Sequence, residues 1–365
     1  MQRRTNPASV FRRRCVAPAA APSLVHNLHV RTENNITGGK VLQTQQLGNT
    51  DLEITPIGFG AWAIGGGEWS GGWGSQDDQE SIAAINRALD LGINWIDTAA
   101  IYGLGRSEQV VGKALQGRSE RPYIFTKSTL RWKEDRSVYN SMKEIRQECE
   151  ESLRRLETDA IDLYQIHWPN PDEDLEEGWT AMADLQKEGK VRWIGVSNFD
   201  IAQLKRAQGI APVSSLQPPF HLLKPGVQDE ILPYCLNQGI GVINYSPMAS
   251  GLLAGKMTSE RIENMPDDDW RKNSDEFTEP NLSRNLELVE LLKGIGERHS
   301  RSTGVVAIAW TLHNPAVTGA IVGARRPGQV DEIIDAAEFR LSDDEFAEIE
   351  AFRQQMASKP PDATV

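Results

Sequence analysis

The stretch NWIDTAAIYGLGRSEQVVGKAL (Asn94–Leu115) passes from an apolar run through a polar turn into a helical pattern. Strand, turn and helix in that order form the repeating unit of an α/β protein. The unit recurs along the chain. Short apolar runs stand at IGFGAW from Ile57, INWID from Ile93, YIFTK from Tyr123 and IDLYQIHW from Ile161. Four more follow, VRWIGVSNF from Val191, VSSLQ from Val213, IGVINYSP from Ile240 and GAIVGA from Gly319. Amphipathic stretches such as QESIAAINRALDLG, YNSMKEIRQECEESLRRL, GWTAMADLQKEGK and QDEILPYCLNQG separate them, with apolar residues at three- and four-residue spacing. Eight such units predict a closed (β/α)8 TIM barrel, whose chemistry sits at the carboxyl ends of its strands. A doubly wound open sheet is the alternative. Ahead of the barrel, VLQTQQLGNTDLEIT alternates around Gly48-Asn49-Thr50-Asp51 and reads as a β-hairpin. An extra helix closes the carboxyl end, so residues 41–355 form the domain and 356–365 a tail.

The 365 residues carry a net charge of -12 and are 39% hydrophobic and 25% charged, enough for a large core. Nucleic-acid surfaces use clustered cations, so that balance argues against nucleic acid as a partner. Cys15, Cys149 and Cys235 lack CxxC spacing, and the six histidines show no paired ligand spacing, so neither a disulfide framework nor a metal is expected. Residues 1–40 differ in kind: six arginines precede Glu33, the first acid. That is the composition of an organelle transit peptide, and equally of a disordered basic tail or a start assigned too far upstream. No apolar run approaches the roughly 18 residues of a bilayer span. A cytoplasmic protein with a small-molecule partner is expected, with organellar import the alternative; the oligomeric state is left open.

In barrel geometry Asp97 ends the second strand, Tyr102 follows in its loop, Lys127 ends the third strand and His167 the fourth. All four should face one mouth. A Lys127 ammonium held by Asp97 can lower the pKa of the Tyr102 phenol from about 10, and a phenol there can protonate a carbonyl oxygen as hydride arrives, with His167 holding the same oxygen. Taken singly, each residue has an ordinary reading: a helix cap, half-buried packing, a solvated cation, a satisfied polar group. Four at successive strand ends point to chemistry.

GINWIDTAAIYGLGRSEQVVGKAL, FTK at Phe125, LYQIHWPNP at Leu163, GVSNF at Gly195, LQPPFHLL at Leu216, NYSPMASGLLAGK at Asn244 and IVGARRPGQVDEI at Ile321 occur in the order of the aldo-keto reductase family. The chain resembles that family over about Val41 to Phe352, most closely its bacterial general-stress reductases and more distantly the potassium-channel β-subunits. The resemblance implies that Asp97, Tyr102, Lys127 and His167 are the catalytic tetrad and that NADPH/NADP+ binds without a Rossmann fold. No GxGxxG follows any strand, in keeping with that implication. Ser197, Asn198 and Gln217, at the ends of strands five and six, offer hydroxyl and amide groups for the nicotinamide carboxamide. Tyr245, ending strand seven, would stack on the nicotinamide ring. Ser246, Pro247, Met248, Gly251, Leu252 and Lys256 form a small-residue turn with one cation, suited to a pyrophosphate. Gly323, Ala324 and Arg325 precede a helix beginning near Pro327, where a 2'-phosphate would meet a helix amino terminus and a guanidinium. Gln329 and Glu332 match the family's adenosine contacts.

A small carbonyl substrate is implied, with Trp62, Trp132 and Trp168 lining an aromatic pocket. The polar insert from Thr258 to Glu279 is long for a barrel loop; it could fold over the cofactor, with Arg271 reaching a phosphate. GGGEWSGGWG (Gly65–Gly74) reads as a flexible loop near the pocket mouth. The reading is therefore an NADPH-dependent reductase of aldehydes or ketones with Tyr102 as general acid. A redox-sensing NADP(H)-binding module of the channel β-subunit kind is the alternative.

Overall fold

A computed structural model describes residues 42–67 and 69–358. The reading of 1–40 lies outside the described residues, as does the 356–365 tail from 359 on; residues 356–358 belong to the last helix instead. Eight strands close into one barrel: Ile57–Gly60, Trp95–Asp97, Tyr123–Ser128, Ile161–Ile166, Val191–Ser197, Ser215–Gln217, Gly241–Tyr245 and Val317–Gly323. They correspond one for one to the apolar runs. Every pairing is parallel, and the eighth strand returns to the first with Gly323 opposite Gly60. The open-sheet alternative is excluded by that closure.

The hairpin pairs Gln45–Gln46 with Glu53–Ile54 and plugs the amino-terminal end of the barrel. Leu47, Leu52 and Ile54 are fully buried against Trp95, Phe125, Leu163 and Ile243, which fill the barrel interior. Gly48 is required at its turn. Its φ is 53°, and a Cβ there would stand 2.3 Å from the Gly241 amide nitrogen. The second, larger core lies between the strands and the surrounding helices.

One helix is shorter than the pattern suggested. The apolar spacing places YNSMKE in its first turns, but the helix begins at Ile145, and Val138–Asn140 pairs with Leu130–Trp132 as a small antiparallel hairpin over the third strand. Helix Ile145–Leu156 turns Ile145, Glu148, Cys149, Ser152, Leu153 and Leu156 inward, a 3.6-residue stripe. The insert after strand seven holds helix Ser259–Glu263 and two 3-10 turns, Trp270–Asn273 and Asp275–Phe277. Helix Asp343–Ser358 is the extra carboxyl-terminal helix. Among the described residues no helix is long and apolar enough to cross a membrane.

Candidate active site

The second strand delivers Asp97 to the carboxyl end of the barrel, and a run of tight turns follows. Tyr102 donates its backbone N–H to Ala99 and accepts from Ser107 at the head of helix Arg106–Leu115. Ser107 Oγ lies 2.9 Å from Thr98 Oγ1 and donates to the Ala61 carbonyl, so the loops after strands one and two are fastened together beneath the phenol.

Lys127 is 1% exposed, and its ammonium meets three oxygens. It donates to Asp97 Oδ1 at 2.5 Å, to the Thr98 carbonyl at 2.9 Å and to Tyr102 Oη at 3.4 Å. Gln217 Nε2 donates to the other Asp97 oxygen at 2.8 Å. An ammonium has three hydrogens, so Lys127 is fully used. Because Lys127 donates to the phenol oxygen, the phenol's own hydrogen is free to point into the cavity. Burial pushes the Asp97 carboxyl up and the Lys127 ammonium down, and the attraction between them opposes both shifts. The His167 ring stands edge-on to Tyr102 with centroids 5.7 Å apart. Burial, then the nearby Lys127, holds His167 well below the usual imidazole range, and its Nδ1 is buried without a partner. It is a neutral imidazole.

The expectation that Lys127 lowers the phenol pKa is not met. Burial first, then the Asp97 carboxylate and Tyr245, raises Tyr102 well above the usual phenol value. With the pair drawn together at 2.5 Å, the ammonium's field at the phenol is largely cancelled by Asp97.

The tetrad's mouth opens into a cavity of about 1180 Å³ that runs toward the start of helix Pro327–Ile333. Asp97, Tyr102, His167, Ser197, Asn198, Gln217, Tyr245, Ser246, Pro247, Met248, Gly251, Lys256, Arg271, Gly323, Ala324, Arg325, Gln329 and Glu332 all line it, as do Trp62 and Trp168. That volume exceeds the roughly 300–1,000 Å³ of a drug-sized ligand site. It suits a dinucleotide together with a small substrate.

The polar groups along it fit such a ligand. Tyr245 Oη donates to Asn198 Oδ1 at 3.0 Å, Asn198 Nδ2 donates to the His167 carbonyl, and Ser197 Oγ donates to the Gln217 carbonyl. These bonds fix a tyrosine face and an amide cluster beside the tetrad. Beyond strand seven the backbone makes a tight turn with positive φ at Ser246, Ala249, Ser250 and Gly251; the Ala249 and Gly251 amides donate to the Ser246 and Met248 carbonyls within it. At the far end, Arg325 donates to Gln76 Oε1, the Trp73 carbonyl and the Ser75 carbonyl, all neutral acceptors. Burial and then the like charge of Arg271 pull its pKa down. A guanidinium under that pressure, with Arg326 beside it, is a site in need of an anion.

Two expectations are corrected, and three cavity residues have protein partners of their own. Trp132 does not line the cavity; its ring lies beneath the Arg155 guanidinium, 5.7 Å away, while Leu130 and Val138 of the same hairpin face the mouth. Leu252 is fully buried in the outer core instead of lining the cavity. Lys256 and Glu332 are each other's partners at 2.5 Å, spanning the cavity from the turn after strand seven to the helix after strand eight. Arg271 is held by Asp269 in two bonds and stacks 4.3 Å over Trp73.

Residues absent from the sequence reading also matter. Trp69 and Trp73 line the cavity, Trp270 stacks behind Trp62, and Gln76 bridges Arg325 to the loop after strand one. Glu108 is fully buried and clamps Thr126 at 2.6 Å and Arg155 at 2.6 Å, bracing the third strand. The aromatic repeat in EWSGGWG and the Trp270-Arg271 dipeptide were the available signals.

A closed barrel with a buried Asp–Lys–Tyr–His constellation at the floor of a dinucleotide-sized cavity defines a nicotinamide-dependent oxidoreductase of the carbonyl/alcohol pair. Residues 56–354 match the model of the aldo/keto reductase family, and the chain belongs to it. It is 36% identical to aldo-keto reductase YhdN of Bacillus subtilis over 323 residues, 87% of this chain and 96% of that protein. It is 33% identical to the NADH-specific methylglyoxal reductase of Escherichia coli, over 81% of this chain and 94% of that one. Among solved structures, the glycerol dehydrogenase AKR11B4 of Gluconobacter oxydans superposes with a TM-score of 0.79 at 35% identity, covering 88% of this chain and 98% of that one.

Proposed function

We propose that this protein reduces an aldehyde or ketone to the alcohol with NADPH, Tyr102 delivering the proton. The observation that carries the reading is the threefold engagement of Lys127, which leaves the phenol hydrogen free for an acceptor in the cavity that Tyr102 lines. Bound NADPH supplies the hydride. Tyr102 gives its proton to the carbonyl oxygen, and neutral His167 donates a hydrogen bond to the same oxygen. Lys127 stabilises the phenolate left behind, with its charge balanced by Asp97. Asn198, Ser197 and Gln217 would hold the carboxamide of the nicotinamide, Tyr245 would offer its ring to the same end of the cofactor, and the turn from Ser246 to Gly251 would receive the pyrophosphate. Arg325, with Arg326 and Gln329, receives the 2'-phosphate, which selects NADPH over NADH. Trp62, Trp69 and Trp168, the last 41% exposed, line an apolar substrate entrance with Leu130 and Val138.

The test is a panel of aldehydes and ketones with NADPH consumption followed optically, run on wild type and Tyr102→Phe. Wild type should turn over several carbonyls, and the variant should keep its affinity for NADPH while losing at least a hundredfold in kcat. Tight cofactor binding with no turnover of any carbonyl would instead favour the redox-sensing module.

A further inference from the structure

Three rings lie nearly parallel in a stack that begins at the catalytic phenol. Trp62 packs on Tyr102 with centroids 6.1 Å apart and planes 25° apart, and Trp270 packs on Trp62 at 5.6 Å and 14°. Trp73 closes the group edge-on to both indoles, 5.3 Å from Trp62 and 6.0 Å from Trp270. Trp62 and Trp73 come from the strand-one end of the barrel, whereas Trp270 comes from the insert after strand seven. Trp62 lines the cavity; Trp270 does not, and stands behind it. The two loops approach closely, since a Cβ on Gly67 would lie 2.5 Å from an Asp268 carboxylate oxygen.

The residues flanking Trp270 anchor it at a definite place. Asp269, 2% exposed, accepts from the Arg271 backbone N–H at 3.1 Å and from its guanidinium at 2.9 and 2.6 Å. Arg271 then donates to the Ser250 carbonyl at 3.2 Å. Ser250 and Gly251 are the kinked residues of the turn after strand seven, at φ of 53° and 92°. An unbroken path of contacts therefore runs from that turn through Arg271 and Asp269 to Trp270, then through Trp62 to Tyr102. The indole nitrogens of Trp73 and Trp270 are buried without hydrogen-bond partners, so neither ring is anchored through its N–H, and the Arg271 guanidinium stacks on Trp73.

The geometry points to Trp270 as a positioning residue for substrate selection: it backs Trp62, and the Asp269–Arg271 clasp makes that backing depend on the turn that receives the cofactor's phosphates. This rests on the reductase reading above. A substrate carrying a planar ring uses the Trp62 face and feels the loss of its support. A short alkyl aldehyde does not reach it.

The experiment compares wild type, Trp270→Ala, Trp270→Phe and Arg271→Met. Steady-state kinetics use benzaldehyde and propanal, NADP+ affinity is measured by calorimetry, and the exciton couplet of stacked indoles is followed by circular dichroism. Trp270→Ala should raise KM for benzaldehyde roughly three- to tenfold, the range one aromatic pair contributes. Its kcat and its KM for propanal should stay within about twofold, and Trp270→Phe should recover most of the loss. In wild type the couplet should change as NADP+ is titrated; it should shrink to the Trp62–Trp73 remainder without Trp270 and lose its NADP+ response in Arg271→Met. An unchanged benzaldehyde KM in Trp270→Ala overturns the proposal. So does an equal loss for both aldehydes accompanied by a lower Tm, which would mark Trp270 as purely structural. A wild-type couplet indifferent to NADP+ overturns the coupling to the turn. If wild type turns over neither these aldehydes nor any carbonyl of the wider panel, the reductase reading fails, and the couplet still decides whether the clasp exists.

Discussion

Glu148 lies behind the catalytic strand ends, and replacing it with Gln should reveal a pH-dependent cost of burying it. The side chain is 1% exposed on helix Ile145–Leu156. One carboxylate oxygen accepts from the Thr129 backbone N–H at 2.8 Å, and the other has no partner. Burial pushes its pKa from 4.5 up to about 8, against the pull of the Thr129 N–H and Arg131. Thr129 is a β-branched residue at φ 83°, two positions after Lys127, and its Oγ1 stands 3.4 Å from both backbone atoms of Trp168. Glu148 thus holds a strained joint between the Lys127 and His167 strands. The sign follows from proton counts. Between pH 4.5 and about 8 the folded chain keeps this proton while the unfolded chain has lost it, so stability falls as pH rises through that window. At ~1.36 kcal/mol per pH unit, the contribution reaches about 3 kcal/mol by pH 7 and about 4 kcal/mol by pH 8, where the folded group is itself half ionised. Glu148→Gln removes the ionisation and keeps an oxygen for the Thr129 N–H. The stability difference between variant and wild type, from urea denaturation at a series of pH values, should therefore grow in the variant's favour from pH 4.5 to 8 by that amount. A difference independent of pH would refute the reasoning, and one growing the other way would mean that Glu148 is ionised and needed as a charge.

Arg325→Ala should weaken NADPH binding by tenfold or more beyond its effect on NADH, read by calorimetric titration of both nucleotides, since a charge-assisted bond contributes about 1.5–3 kcal/mol. NADH should also lose some affinity, because the same guanidinium holds the 73–76 loop through neutral acceptors; equal losses would leave loop support as its only role. His167 is buried neutral, so the unfolded chain takes up a proton below about pH 6.5 that the folded chain refuses, and stability should fall as pH drops through that range. His167→Gln should flatten that acid limb in the same denaturation series, and an unchanged limb would place the imidazole in a solvated setting.

The barrel and its tetrad were legible because both are written locally. Each strand is a short apolar run, and Asp97, Lys127 and His167 stand at or beside the ends of such runs, where a closed barrel gathers them without further information. Side-chain facing at loop positions is a different matter. Trp132 and Trp69 look equally suited to a substrate wall, and only the packing of the Leu130–Trp132 hairpin against Arg155 sends one away from the mouth while the other lines it. Lys256 and Glu332 are 76 positions apart, so no sequence pattern announces that they pair. Glu148 was concealed by its company in RQECEESLRR, an acid among acids. Yet it sits three residues after Ile145 and four before Ser152, inside the buried stripe, and an acid on that stripe is the one signal that could have singled it out.

The direction of the Tyr102 shift bears on which way the chemistry runs. A phenol pushed up by burial remains protonated throughout neutral pH, so the resting site holds a proton ready to give. Reduction needs that donor, because the oxygen of the carbonyl gathers negative charge as the carbon is reduced. Oxidation of an alcohol needs the reverse, a phenolate able to accept, and the burial that raises the phenol disfavours that charged form. Lys127 is the group placed to offset the cost, since its third hydrogen already lies along the line to Oη at 3.4 Å. As the proton leaves, that contact changes from a long bond to a neutral oxygen into a charge-assisted one, which is stronger and shorter. The interaction therefore strengthens as the reaction proceeds, and Asp97, bonded to both Lys127 and Gln217, keeps the ammonium on that line while it does.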